Sequence, residues 1–129
     1  MNGLPDSACT PGGVFNVTAK DICRKGYSKS VRSVSTKIKN QAFNAYGIRF
    51  HPTGAYEVDH LIPLELGGSN DISNLWPEAA NPQPGFREKD RVENYLHAQI
   101  CKGSMSLDEA QREIVTDWLG VFQKINSAH

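Results

Sequence analysis

Asp59 and His60 stand side by side, and Asn74 follows His60 by fourteen positions across a stretch containing Gly67 and Gly68. Further on, Glu93 and His97 are spaced i,i+4, so on a helix they project from one face and can both reach one ion. Two carboxylates and an imidazole are hard-to-borderline ligands, suited to Mg²⁺, Mn²⁺, Ni²⁺ or Zn²⁺ rather than to a soft thiolate site. A neutral imidazole, with an ordinary pKa near ~6.5, can take a proton from water at physiological pH. The combination points to a divalent-metal site.

These residues need elements that bring them together. Tyr56 to Ile62 reads as a strand rich in β-branched and aromatic residues, with Asp59 and His60 towards its end. Pro63 stops it, and Gly67-Gly68-Ser69-Asn70-Asp71 is loop chemistry. Asn74-Leu75-Trp76-Pro77 is a second short extended piece that Pro77 limits to an edge. Phe86 to Cys101 follows as a helix with Val92, Tyr95, Leu96 and Ile100 on one side. Ser106 and Glu109 form a capping box ahead of a continuous apolar stripe from Leu107 through Ile114 and Trp118 to Ile125. Upstream, Ile38, Ala42, Phe43 and Tyr46 recur at helical spacing before Gly47, and Val14 to Thr18 reads as a strand or an anchor. Trp76 and Trp118 are expected in the core.

The chain has 129 residues, 39% of them hydrophobic and 22% charged, which fits one folded α+β domain and excludes a wholly disordered chain. No apolar run approaches the ~18–20 residues of a membrane span, so no membrane partner is expected. The start of the chain has no apolar signal-peptide core. The formal net charge of zero hides an asymmetry: residues 1–50 carry eight bases against two acids, a net of +6, and residues 51–129 carry the compensating −6. A basic front half suits an anionic partner. Cys9, Cys23 and Cys101 form no C-x-x-C pair, and three pairings are open.

The segment YEVDHLIPLELGGSNDISNLWPE, followed by KDRVENYLH, resembles the HNH endonuclease family, specifically its small bacterial members. The resemblance covers roughly residues 55–101 and implies a ββα-metal core: a β-hairpin with a long loop packed on a helix, holding one divalent ion. It implies an expected division into a basic N-terminal arm and helix (1–54), the ββα core (55–101) and a C-terminal helix packed on it (102–129). It assigns His60 as the general base, Asp59 as a metal ligand, and Asn74 as the residue that supports the loop and orients the imidazole. The third position departs from the pattern, because Gln83 stands where the last histidine would be. Asn81 is one replacement; the other, preferred here, is the helical pair Glu93 and His97, which copies the ligand spacing of the colicin-type members.

The function this resemblance implies is a divalent-metal-dependent endonuclease of little sequence specificity. DNA is its expected partner, with RNA as a second substrate class, and whether an inhibitor protein binds is left open. Lys25, Lys29, Arg32, Lys89, Arg87 and Arg91 are the expected phosphate contacts, Lys89 also being placed to hold Glu93. Cys23 and Cys101 are the expected disulfide, tying the basic half to the core in a monomer of the periplasm or exterior. Reduced cysteines would instead return a cytoplasmic reading. Two rivals remain: an inactive HNH-like nucleic-acid-binding module, and a small secreted protein with a structural zinc on Asp59, His60 and His97.

Overall fold

The computed structural model describes residues 4–127, so the first three residues of the expected arm and the last two of the expected C-terminal helix lie outside the described residues. The architecture is mixed α+β, with five helices and a two-stranded antiparallel sheet among those residues. Two short helices, α1 (Ala19–Ile22) and α2 (Tyr27–Val31), precede α3 (Thr36–Ala45). Strands β1 (Tyr56–His60) and β2 (Leu75–Ala79) are separated by two 3₁₀ turns, Leu64–Leu66 and Ile72–Asn74. Helices α4 (Phe86–Cys101) and α5 (Leu107–Ser127) complete the chain, α5 being kinked at Asp117.

Each boundary has a local cause. Thr18 opens α1 by donating its backbone N–H to the Asp21 carboxylate, and Ser35 caps α3 by accepting from the Ile38 N–H. Ser106 accepts from the Glu109 N–H at the start of α5. Strand β1 ends at His60, two residues before the expected limit, because beyond the in-register Leu61 N–H to Asn74 carbonyl bond the Asn74 side chain, and not a strand backbone, takes the Ile62 N–H and carbonyl. Strand β2 runs two residues past Pro77, which sits opposite Val58. In a two-stranded sheet every strand is an edge, so the missing proline N–H costs no ladder bond on its open side. Val14 makes only an isolated bridge to Gly68, so the first segment is an anchor rather than a strand.

The main core lies between α4 and α5. Val92, Leu96 and Ile100 meet Ala110, Ile114, Trp118 and Val121, with Ile22, Tyr27, Ile62 and Leu66 closing the near end. Trp76 and Trp118 are both buried. Tyr95, placed on the same stripe by its spacing, is instead 40% exposed, because the buried face is narrower than the sequence pattern suggests. The disulfide Cys23–Cys101 joins the end of α1 to the end of α4. Cys9 is free and exposed.

The loop between the strands closes on Gly68. Its N–H donates to the Pro63 carbonyl, and a Cβ added there would collide with the Ile62 carbonyl oxygen and crowd the Asn74 amide. Gly68→Ala is therefore expected to destabilise the protein by about 1–3 kcal/mol. Urea unfolding monitored by tryptophan fluorescence measures it, and an unchanged midpoint would contradict this packing.

Candidate active site

The antiparallel register pairs Asp59 with Trp76 and Glu57 with Glu78, so these four side chains share one face of the sheet. Helix α4 lies against that face and sends Lys89 into it. Lys89 has no exposed surface; its ammonium donates to Asp59 Oδ2 at 2.9 Å, to the His60 carbonyl at 3.0 Å and to Glu93 Oε2 at 2.5 Å. Burial pushes the Lys89 pKa down, but the facing Asp59 and Glu93 carboxylates more than offset it, so the group stays charged. Burial raises the Glu93 carboxyl, against the pull of Lys89.

Glu78 completes the cluster. Its two oxygens are buried with no donor from any other side chain or the backbone. Burial, then the contact with Asp59, pushes its pKa up to about 10, so at neutral pH it carries a proton and can donate it to Asp59. One ammonium and the carboxyl groups of Asp59, Glu78 and Glu93 thus meet beneath the sheet. The short Lys89–Glu93 spacing is i,i+4 on α4, and the reach to Asp59 comes from β1.

His60 ends β1 with its ring turned to a different partner. Its Nε2 lies 3.0 Å from Asn70 Oδ1. Asn70 is fixed in both directions: its Nδ2 donates to the Val31 carbonyl at 2.7 Å, and its Oδ1 accepts from the Ser33 N–H at 3.2 Å. These two bonds identify the atom facing His60 as the amide oxygen, which carries no hydrogen and can only accept, so the proton of the imidazole must sit on Nε2. The Nδ1 lone pair is then the basic site. Burial lowers the His60 pKa, partly countered by the Asn70 bond and by Asp59, which keeps the ring neutral at neutral pH.

Asn74 has another task. Fully buried, it accepts from the Ile62 and Gly13 N–H groups and donates to the Ile62 and Ser69 carbonyls, so every hydrogen-bonding position of its amide is engaged. It supports the loop, as the resemblance implies, whereas the expected contact with the imidazole falls to Asn70. Asn70 went unrecognised because Gly-Gly-Ser-Asn-Asp reads as generic turn chemistry. Glu78 and Glu65 were likewise not singled out. A glutamate two residues from Trp76 on the same strand face was the available signal for Glu78.

The expected metal set does not assemble. Asp59 and Glu93 meet, but across the Lys89 ammonium, while His97 lies one turn beyond Glu93 with Nε2 3.0 Å from the Ile22 carbonyl and Nδ1 4.0 Å from Glu65 Oε2. Asp59, Glu93 and His97 therefore do not fit a common ion, and neither does the structural zinc site of Asp59, His60 and His97. Asn81 is exposed after β2 and lines a small recess with Trp76 and Glu78. A different group can hold a metal ion: Cys23, His97 and Cys101 offer ligand atoms within 4.8 Å of one another, although the two sulfurs form the disulfide.

The basic residues divide by environment. Lys25, Lys29 and Arg32 are exposed along α2 and its flanks, and Arg32 lies between the two backbone groups that Asn70 holds. Arg87 and Arg91 are exposed on α4, stacked over Phe86 and Phe122, and Arg91 also donates to Asn126. Lys89, expected as a phosphate contact or a support for Glu93, has only the second geometry, because it has no surface to offer a phosphate. No helix among the described residues is long and apolar enough to cross a membrane, and the disulfide is compatible with an oxidising compartment.

Removing the ammonium while leaving its partners strands buried negative charge. Lys89→Met is expected to cost about 3–5 kcal/mol at pH 7, measured by chemical denaturation. A loss below about 1 kcal/mol would show that the cluster does not hold α4 to the sheet.

No protein-family model, curated protein or solved structure matches the chain.

Proposed function

We infer that the chain is an HNH-type endonuclease that hydrolyses phosphodiester bonds of DNA, with RNA as a second substrate class. The observation that supports this reading most is the double engagement of Asn70. One amide fixes the His60 tautomer and pins the backbone on both sides of exposed Arg32. A general base and a phosphate-binding guanidinium are thereby held on one fastener.

Hydrolysis needs a water deprotonated as it attacks phosphorus, stabilisation of charge on the phosphoryl oxygens, and a bound duplex. His60 Nδ1 takes the water proton, and the Nε2–H···Asn70 bond steadies the resulting imidazolium. Arg32, exposed on a pinned stretch of backbone, supplies a cation for the phosphate oxygens. Lys25 and Lys29, on the same short segment, extend a sequence-independent phosphate track. Asp59 does not act on substrate in this reading; with Lys89 it anchors the end of β1 that carries His60.

A divalent ion is what the resemblance adds, but the Asp59–Glu93 position that would hold it is filled by the Lys89 ammonium. The same observation favours the second reading, an HNH-shaped binding module without catalysis. Supercoiled plasmid and single-stranded RNA incubated with the protein separate the two, with Mg²⁺, Mn²⁺, Ni²⁺, Zn²⁺ or EDTA as parallel arms.

Nicking is expected, reduced ~10²–10⁴-fold by His60→Ala. Asn70→Ala should lower kcat by up to ~10²-fold through misplacement of the ring while leaving the fold intact by circular dichroism. Because burial lowers the His60 pKa, kcat/KM should stay level as pH falls to 6.5 and decline only below it, as the base becomes protonated. Cleavage that survives His60→Ala would overturn the mechanism. Salt-sensitive DNA binding with no cleavage in any arm would establish the binding module instead.

A further inference from the structure

The loop 46–55, between α3 and β1, carries the most exposed large apolar side chain among the described residues: Phe50 is 93% exposed, whereas Val14, the next, is 49% exposed. The backbone around it is held. Ile48 donates its N–H to the Phe43 carbonyl, Ala55 donates to Pro52, and the Ala55 carbonyl accepts from Ala80 just past β2. The His51 ring stacks on Phe43 with centroids 4.0 Å apart, and Tyr56 meets both rings edge-on. Three rings thus fix the chain beside Phe50, while Phe50 itself stays in solvent.

Side chains alternate along β1, so Tyr56, Val58 and His60 lie on one face and Glu57 and Asp59 on the other, against Lys89. The ring cluster therefore shares the face of His60, about 13 Å away at ~3.3 Å per strand residue. At ~3.4 Å per stacked nucleotide, that is on the order of four nucleotides. The surroundings carry one sign of charge: residues 22–56 hold seven bases and no acid. Arg49, adjoining Phe50, is exposed and makes no ion pair among the described residues. An open aromatic face beside an unneutralised guanidinium matches a nucleobase and its phosphate. Arg49 and His51 on either side are polar and exposed, which suits that ligand better than the wide apolar patch a protein or a membrane needs.

Resting on the nuclease reading above, we propose that Phe50 is a base-stacking residue that engages an unpaired nucleotide of the substrate strand, with Arg49 on the adjoining phosphate. Inside a duplex both faces of each base are covered by its neighbours, so the ring finds a free face only in a single strand, a gap or a frayed end. The substrate class is thereby narrowed to single-stranded or locally unpaired nucleic acid. Such a strand is held at Phe50 at one end of the β1 face and at Arg32, beside His60, at the other.

The test uses the full chain and a short pyrimidine DNA strand carrying one 2-aminopurine, with phosphorothioate linkages that resist hydrolysis and keep the backbone charge. Binding should quench the 2-aminopurine fluorescence at one position of the probe base. Phe50→Ala should abolish the quenching and weaken single-strand binding about 5–150-fold, the range expected for one lost base stack. Phe50→Tyr should restore both, and Phe50→Leu, apolar but without a flat ring, should not. Binding of a blunt duplex should change less than about twofold in Phe50→Ala, because a fully paired strand offers no free base face.

Phe50→Ala that binds the single strand as tightly as the native chain overturns the proposal. Phe50→Leu equal to the native chain, or an equal loss for the duplex, does the same. So does a dimer in sedimentation that Phe50→Ala converts to a monomer, which would make the ring a contact between copies. The hydrolytic reading is tested separately by plasmid nicking and His60→Ala. Nicking with unchanged binding by Phe50→Ala would remove this inference and leave that reading standing, whereas a native chain that binds neither single strand nor duplex would remove both.

Discussion

The ammonium of Lys89, without exposed surface, ties helix α4 to strand β1. It reaches Asp59 on β1, the carbonyl of His60 at the end of that strand, and Glu93 one turn along its own helix. A buried cation facing two carboxylates is tolerable only if each charge is answered, because an isolated charge in a low-dielectric interior carries a penalty of several kcal/mol. The protonated Glu78 answers part of the excess negative charge by serving as an acid toward Asp59. The angle between α4 and the hairpin is therefore set by short polar contacts rather than by apolar packing alone.

That arrangement decides what His60 can do. Its backbone carbonyl is fixed by Lys89 and its ring by Asn70, so both ends of the residue are held by groups from different elements. Asn74 performs the corresponding task for the loop, joining Ile62, Ser69 and Gly13 through one saturated amide. The two asparagines, four positions apart, divide the work: one keeps the loop closed and the other selects the imidazole tautomer.

Much of the scaffold was legible because it follows from local rules. Ser106 caps α5 at its hydroxyl, the spacing of Val92, Leu96 and Ile100 predicts the buried face of α4, and Pro77 confines β2 to a small sheet. Cys23–Cys101 was also legible, from the ends of two helical patterns. The site was less so. Glu93 and His97 satisfy the i,i+4 rule, but the rule describes one helix and not what packs on it: Glu93 faces β1, while His97 faces Ile22 and Glu65. Lys89 and Asn70 gained their meaning from partners some thirty to forty positions away, a separation that periodicity and turn chemistry do not encode. The balanced net charge likewise concealed its division into a basic segment over Arg32 and an acidic cluster folded inward around a lysine.

The role of His60 as a base depends most directly on which of its ring nitrogens carries the proton. Long-range ¹H–¹⁵N correlation spectra of histidine-labelled protein at neutral pH distinguish the two nitrogens of His60, with His60→Gln supplying the assignment. The expected result is a neutral ring with its proton on Nε2 and an unprotonated Nδ1, converting to a mixture of tautomers in Asn70→Ala. A proton on Nδ1, or a ring already charged at pH 7, would contradict the assignment of His60 as the base.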